Sequence, residues 1–197
     1  MNFKQISTSN RKVWFTSDWH LSHANIIKYA KRPFVDVEHM NTTILNNAHR
    51  VIGVNDYVFF LGDFCFHTPD IEYIIQNLPG KEWIWISGNH EKPLKQYLHS
   101  HNMIIYDLLD IVVDTQPITL CHYPMVSWNK SHYGAWQLFG HHHSLFTLSN
   151  SYVFEGKKMN VCTDLYNYYP IDFEFIKNNM HMKSNNWDYI DKENKHK

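Results

Sequence analysis

Five short apolar runs in this chain each end at a residue type that binds metal ions. The runs and the polar residues that follow them are, in order, Val13–Ser17 with Asp18 and His20, Tyr57–Leu61 with Asp63, Trp83–Ser87 with Asn89 and His90, Ile118–Cys121 with His122, and Trp136–Phe139 with His141 and His143. If the runs are strands of one sheet, their carboxyl ends converge on a single crevice, which is where open α/β sheets place their ligands. Two Asp, one Asn and four His side chains from this set can hold two divalent ions there.

The length and the charge of the chain limit its organisation and its partners. With 197 residues, 44% of them hydrophobic, the chain fits one domain over residues 1–182, followed by a polar, flexible tail at 183–197. The net charge is −1 and no long basic run is present, so we expect no stable nucleic-acid binding. The chain contains 15 His, so a single His means little and the spacing between ligand candidates must carry the interpretation.

The cysteines and the apolar segments indicate a cytoplasmic protein without a membrane partner. Cys65, Cys121 and Cys162 are far apart, odd in number and surrounded by apolar residues, which predicts three buried, reduced thiols. The first residues include no apolar segment typical of a signal peptide. Polar residues interrupt every apolar stretch before it reaches the ~18 residues that a transmembrane helix needs.

The periodicity of apolar residues predicts helices between the first strands. Residues 37–51 repeat apolar positions at steps of three and four, and Asp36 is suited to cap this helix. Shorter helices are expected at 71–78, 23–31 and 93–100. Strands that alternate with helices predict parallel pairing, whereas the second half of the chain has closely spaced strands typical of an antiparallel or mixed sheet.

The chemistry of the junction residues favours transition metals. Asp18 and His20 are two positions apart at a strand end, so both can reach one ion. A carboxylate beside an imidazole suits Mn, Fe, Zn or Ni better than Ca, which prefers oxygen ligands throughout. Asp63 follows Gly62, which allows close backbone approach, and its two oxygens can bridge two ions. Asn89 offers a neutral oxygen ligand.

Each motif alone also has an ordinary explanation. A Gly-Asp pair after a strand is more often a turn, and His99 and His101 repeat the spacing of His141 and His143 inside a predicted helix. His23, three positions after His20, is an extra ligand, a hydrogen-bond donor to a ligand or a helix-surface residue, and we favour the surface. The ordered set of five motifs, in contrast, would rarely arise by chance.

Together these residues resemble the calcineurin-like metallophosphoesterase superfamily, and within it the small standalone phosphoesterases of bacteria and their phages. The closer resemblance rests on five segments: Thr16–His20, Arg32–Phe34, Leu61–Phe64, Cys121–Met125 and Asn160-Val161. It extends from about Val13 to about Pro170. The resemblance implies an α/β fold of the metallo-dependent phosphatase type, a four-layer α/β/β/α sandwich with two central mixed sheets and a dinuclear site at one sheet edge.

The resemblance also implies a role for each motif residue. It assigns the first ion to three side chains, Asp18, His20 and His143. It assigns the second ion to three others, Asn89, His122 and His141. Asp63 would bridge the ions, and His90 would act as general acid. Many relatives have Asp directly after this His, whereas here Glu91 follows, a longer carboxylate that could still orient the imidazole. Asp164 would tether a ligand His, or it is simply a turn residue.

The activity that the resemblance implies is hydrolysis of phosphomonoester or phosphodiester bonds. A hydroxide that bridges the two ions would attack phosphorus in line, with manganese the first choice and iron, zinc or nickel the alternatives. The expected partner is a small phosphoester, a nucleotide among the candidates. Arg32, Trp128 and Tyr133 are candidate substrate contacts, although the aromatic residues could be core and Arg32 could cap the preceding helix. Alternatives are a catalytically silent scaffold of the same fold or a nuclease of the same superfamily, and the oligomeric state is left open.

Overall fold

The computed structural model describes residues 4–66, 70–144 and 156–186, which form two five-stranded sheets and five α-helices. The strands are Lys4–Ile6 (β1), Val13–Thr16 (β2), Tyr57–Leu61 (β3), Glu82–Ile86 (β4), Ile105–Tyr106 (β5), Leu108–Val113 (β6), Gln116–Cys121 (β7), Trp136–Phe139 (β8), Lys158–Asn160 (β9) and Ile171–Asp172 (β10). The helices are Ala24–Tyr29 (α1), Val37–Val51 (α2), Ile71–Gln76 (α3), Lys92–Ser100 (α4) and Phe173–His181 (α5).

The first sheet, sheet I, contains the strands that alternate with helices. Its order is β10-β2-β3-β4-β5, and β2, β3, β4 and β5 pair in parallel while β10 pairs antiparallel at the edge. Because parallel neighbours need a crossover connection, α1 and α2, α3, and α4 each link one parallel strand to the next. The alternation predicted from the sequence is therefore confirmed.

The second sheet, sheet II, has the order β1-β6-β7-β8-β9. The β6–β7 hairpin is antiparallel and the remaining pairs are parallel, so the mixed sheet expected in the second half is confirmed. The condition that all five apolar runs are strands of one sheet is not met, because β2, β3 and β4 belong to sheet I and β7 and β8 to sheet II. A parallel bridge between Ser17 and Cys162 nevertheless joins the carboxyl ends of β2 and β9, so both sheets deliver their strand ends to one edge.

Alternating side chains of sheet I form two cores. Phe15 and Phe59 point toward sheet II, where they stack at 5.3 Å between ring centroids and pack with apolar residues of both sheets. Trp14, Phe60 and Trp85 point the other way, into a core shared with α1, α2 and α4. A strand that buries both faces reads as a continuous apolar run, which explains why these strands were visible in the sequence.

The helices follow the predicted pattern with small differences at their ends. The 37–51 helix is confirmed as α2, and the Asp36 side chain accepts a hydrogen bond from the His39 amide at 2.8 Å. The helix predicted at 23–31 is shorter, because α1 begins after His23 and ends at Tyr29. The other two lie within two residues of their predicted limits, as α3 and α4.

The face of sheet II that points away from sheet I is covered by the segment 122–135. Its helical part is a 3-10 helix, Ser131–Tyr133. The buried Lys158 side chain reaches this segment and donates to the Met125 carbonyl at 3.0 Å. The α/β class and the two mixed sheets are thus confirmed.

Three further expectations concern the tail, the thiols and the membrane. Residues 183–186 contact the body, where Asn186 donates to the Val126 carbonyl at 2.9 Å, and the remainder of the expected tail lies outside the described residues. Cys65 and Cys162 are buried free thiols, but Cys121 is only half-buried. No helix within 4–66, 70–144 or 156–186 is long and apolar enough to cross a bilayer. The cytoplasmic location stays a prediction.

Candidate metal centre

The backbone that carries the ligand candidates is strained at the sheet edge. Asp18, His20, Asp63 and His141 have φ angles of 59°, 51°, 62° and 68°, in the left-handed region that residues other than glycine rarely occupy. Such conformations cluster at functional sites, where the surrounding structure holds them. Gly62 at φ 92° packs against the Gly88 Cα, and a Cβ there would lie 2.7 Å from that atom. The glycine therefore allows the ends of β3 and β4 to approach closely.

One cluster of ligand candidates, the first site, contains Asp18, His20 and His143. Their potential ligand atoms all lie within 4.8 Å of one another. His143 Nε2 is 3.9 Å from Asp18 Oδ1, and the rings of His20 and His143 are 5.1 Å apart between centroids. These separations suit three donors arranged around one ion.

The second site contains Asn89, His122 and His141. The Asn89 Oδ1 atom is 3.1 Å from His122 Nε2 and 3.1 Å from His141 Nδ1, and both rings group with Asp63 within 4.8 Å. Asp63 lies between the two sites, because its Oδ2 is 3.5 Å from His20 Nε2 and 3.6 Å from His122 Nε2. The sequence-predicted ligand residues are therefore all brought together.

His20 gives the clearest test of whether these residues fit a metal ion. Its side chain is 2% exposed, and neither ring nitrogen has a hydrogen-bond partner among the described residues. Burial, together with the neighbouring His143 and Arg32, strongly lowers the pKa of His20, so the imidazole stays neutral and keeps a free lone pair. A buried polar group without a partner is costly, and a metal ion would satisfy it. The donor set of carboxylate, imidazole and amide oxygen fits a transition metal.

Two of the histidines are oriented by hydrogen bonds on their Nδ1 atoms. His122 Nδ1 lies 2.7 Å from the Leu61 carbonyl oxygen, which can only accept, so this nitrogen carries the proton and Nε2 is left as a ligand atom. His143 Nδ1 is bonded to Asp164 Oδ2 at 2.9 Å. Metal-binding histidines are usually held in this way. Asp164 therefore has the tethering role, not that of a simple turn residue.

His90 lies beside the two sites. Its backbone amide donates to Asp63 Oδ1 at 2.8 Å, and its ring is 5.5 Å from that of His20. The expectation that Glu91 orients the His90 imidazole is wrong. The Glu91 carboxylate instead accepts from the Phe64 amide at 2.9 Å through Oε1, and Oε2 has no hydrogen-bond partner in the described structure. Burial raises the pKa of Glu91 to about 8.

The prediction that Arg32 contacts substrate is wrong. The residue is 4% exposed, and its guanidinium donates to both Asp164 carboxylate oxygens at 2.8 and 2.7 Å. It also donates to the Trp19 carbonyl at 2.9 Å and to the Asp18 carbonyl at 2.6 Å. Its side-chain donors are therefore occupied within the protein. Its backbone amide donates to the Ile27 carbonyl of α1 at 2.9 Å, which agrees with the helix-capping alternative.

The two aromatic candidates for substrate contact have different outcomes. Trp128 is 5% exposed and donates to the Ala135 carbonyl at 3.0 Å, so it belongs to the interior and its predicted substrate role is wrong. Tyr133 is 80% exposed on its 3-10 helix and its ring packs on His132. Its substrate role stays a prediction.

Sequence reasoning gave no site role to two neighbouring rings, those of Tyr123 and Phe66. The Tyr123 ring lies 4.9 Å from those of His122 and His141, which makes it one wall of the second site. His23 was expected on a helix surface, but its ring stacks on Phe66 at 4.4 Å and lies 5.5 Å from that of His20. Tyr123 directly follows a ligand candidate, which is the signal that could have found it. Nothing in the local spacing singles out Phe66.

Comparison with known proteins shows similarity to proteins whose functions are not described. No family model matches the chain. Gene 66 protein of Mycobacterium phage L5 is 29% identical over 96 residues, which is 47% of this chain and 45% of that protein. The crystal structure of the protein of unknown function AQ665 from Aquifex aeolicus superposes with a TM-score of 0.68 at 25% identity, covering 86% of this chain and 99% of that one.

A relative of similar length establishes the family. The uncharacterized protein MJ1445 of Methanocaldococcus jannaschii is 33% identical over 174 residues, which is 85% of this chain and 90% of that protein. The chain therefore belongs to the same family as MJ1445.

Proposed function

We propose that this protein is a dinuclear-metal-dependent phosphoesterase that hydrolyses a small phosphomonoester or phosphodiester. The observation that carries the proposal is the position of Asp63 between two clusters of donors, at 3.5 Å from His20 and 3.6 Å from His122. A carboxylate flanked by two such clusters is suited to bridge a pair of ions. Two-metal sites with ions about 3.5–4 Å apart are typical of phosphatases and nucleases.

The fold supports this proposal. Two mixed sheets that deliver ligand candidates to one edge agree with the four-layer metallophosphoesterase architecture that the sequence resembles. We propose that the helices on sheet I and the segment 122–135 on sheet II are the outer layers of that architecture. The proposed cofactors are two divalent transition-metal ions, manganese first, with iron, zinc or nickel as alternatives.

In the proposed reaction, different residues of the chain would donate a proton and hold the metal ligands. The contribution that two ions make when bound is to offset phosphate charge and to lower the pKa of water. His90 is held beside Asp63 through its backbone amide, and this residue would give a proton to the leaving oxygen. General-acid catalysis of this kind contributes about 10²–10⁴-fold in rate. Asp18 and His20 are buried, so the surrounding structure holds these two donors of the first site in place.

The proposed substrate is small because a long polymer would need a basic surface. The net charge of the chain is −1, and Arg32, a candidate phosphate contact, is already bonded to Asp164. The ring of Tyr123 borders the site and is partly exposed, so it can contact an apolar or aromatic part of the substrate.

The test is hydrolysis of bis-p-nitrophenyl phosphate and p-nitrophenyl phosphate by metal-stripped protein, with and without Mn²⁺. We expect turnover only with Mn²⁺, and we expect Asp63→Ala to abolish it because the bridge is lost. Asp107→Ala, at an exposed position, is the matched control and should keep full activity. Turnover by Asp63→Ala at the wild-type rate would contradict the site. Wild-type protein that binds Mn²⁺ but turns over neither ester nor any nucleotide would favour the silent scaffold instead.

A further inference from the structure

We propose that Arg32 is a positioning residue that organises the first site and leaves the second site to other supports. The inference rests on the proposed function, because it concerns the binding of one of the two proposed ions. Arg32 contacts no ligand atom of the site directly. Its guanidinium acts through the backbone on one side and through Asp164 on the other.

The first connection runs through Asp164 to a ligand candidate. Arg32 Nε and one terminal nitrogen bond the two Asp164 oxygens at 2.8 and 2.7 Å, the paired geometry that fixes a carboxylate plane. Asp164 Oδ2 then accepts from His143 Nδ1 at 2.9 Å. This bond puts the proton on Nδ1 and turns Nε2 toward Asp18, at 3.9 Å from its Oδ1. Arg32 thereby sets the tautomer and the direction of the His143 ring.

The second connection runs through the backbone of the other two ligand candidates. The terminal nitrogens of Arg32 donate to the carbonyls of Asp18 at 2.6 Å and Trp19 at 2.9 Å. These carbonyls lie between Asp18 and His20, which both have left-handed φ angles. Two charge-assisted bonds within this short turn hold the Asp-x-His segment in a conformation that it would otherwise rarely adopt.

The second site is supported from elsewhere. His122 is held by the Leu61 carbonyl at 2.7 Å. The Asn89 Oδ1 atom contacts Nε2 of His122 and Nδ1 of His141. The His141 amide donates to the Asp18 carboxylate at 3.0 Å, which is one link between the two sites beside Asp63. Loss of Arg32 should therefore weaken one ion far more than the other.

The experiment measures Mn²⁺ binding to metal-stripped protein, with free Mn²⁺ followed by electron paramagnetic resonance. Wild-type protein should bind about two ions per chain. Arg32→Met should weaken one of them about 10–100-fold, the range typical for loss of such outer supports, and leave the other unchanged. Arg32→Lys keeps the charge but cannot make the paired bonds, so it should recover only part of the affinity. The matched control Arg50→Met, on the exposed face of α2, should bind like wild type.

Double variants identify which ion is weakened. Adding Arg32→Met to His20→Ala should change little, because both changes act on the same ion. Adding Arg32→Met to His141→Ala should weaken the ion that remains about 10–100-fold, because the two changes act on different ions. The opposite pattern would overturn the assignment to the first site.

Other outcomes separate this inference from the function it rests on. Arg32→Met with two ions at wild-type affinity overturns the role of Arg32 alone. Equal weakening of both ions in a variant that keeps the folded circular dichroism spectrum overturns it as well, since the role of Arg32 would then not be specific to the first site. If Arg32→Met does not fold, Asp164→Asn decides instead, and wild-type affinity in that variant overturns the proposal. Wild-type protein that binds no ion overturns the proposed function itself.

Discussion

Replacing His20 by Leu should have opposite effects on the metal-free and the metal-loaded protein. In the metal-free state the buried imidazole has two nitrogens without hydrogen-bond partners among the described residues. Burial and neighbouring cationic groups keep it neutral by lowering its pKa. A buried side chain of this kind lowers the free energy of unfolding, so a site built for an ion is expected to be less stable without it.

The magnitude follows from the buried polar group and from the ligand that is lost. Leaving a buried polar group unpaired costs about 1–3 kcal/mol, so metal-free His20→Leu should be more stable by about that amount. For a chain of this size 1 kcal/mol shifts Tm by roughly 2–4 °C. An ion present at a hundredfold excess over its Kd adds about 2.7 kcal/mol to the free energy of unfolding. The variant should no longer gain the contribution of the first ion, so its Mn²⁺-dependent rise in Tm should be roughly half that of wild type.

The assay is thermal unfolding of both proteins after chelation and again in excess Mn²⁺. The backbone at position 20 has a left-handed φ of 51°, which β-branched residues rarely adopt. Leu is therefore chosen for the replacement. His49→Leu, on the exposed side of α2, is the control and should show neither effect. A metal-free variant that is clearly less stable than wild type would contradict the cost of the unpaired imidazole. A variant with the full Mn²⁺ response would contradict the role of His20 as a ligand.

Three other residues near the site, His90, Gly62 and Glu91, can be tested separately. His90→Ala should slow alkyl phosphoesters more than p-nitrophenyl esters, because a phenolate leaves without a proton; equal losses in kcat would contradict the acid role. Gly62→Ala should destabilise the fold more than Gly134→Ala in urea unfolding, since both have positive φ but only Gly62 lies 2.7 Å from a backbone atom at the Cβ position; equal effects would count against the close approach. Burial raises the pKa of Glu91 to about 8, so metal-free protein should lose stability as the pH rises from about 4.5 through 8. Glu91→Gln cannot ionise and should flatten this dependence; an unchanged pH profile would contradict the burial of a protonated acid.

The ligand candidates could be predicted from the sequence because strand ends are visible in it. Each apolar run reads as a strand buried on both faces, and the polar residue just after it must lie at the sheet edge. Asp63 and His122 were found in this way. The cap at Asp36 was equally local, since it depends only on the next three residues.

The division into two sheets could not be obtained from the runs themselves. Periodicity reports which faces of a strand are buried, but it does not report which strand is its neighbour. The close spacing of strands in the second half indicated an antiparallel or mixed sheet there, but only the resemblance implied that two central sheets share the runs.

The role of Arg32 depended on a partner far along the chain. Asp164 is 132 positions away, and no local pattern links the two residues. Trp128 could not be assigned from the sequence either, because an aromatic residue between two ligand segments can line a site or fill the interior. Its hydrogen bond to the Ala135 carbonyl shows that it belongs to the interior. His23 was assigned to a surface because helical spacing does not reveal that Phe66 approaches from another segment.

Anomalous diffraction from crystals grown with Mn²⁺ would test the dinuclear site most directly. We predict two anomalous peaks about 3.5–4 Å apart, one beside Asp18, His20 and His143 and the other beside Asn89, His122 and His141, with Asp63 in contact with both. Peaks elsewhere in the molecule, or well-ordered density for these side chains with no peak between them, would contradict this prediction.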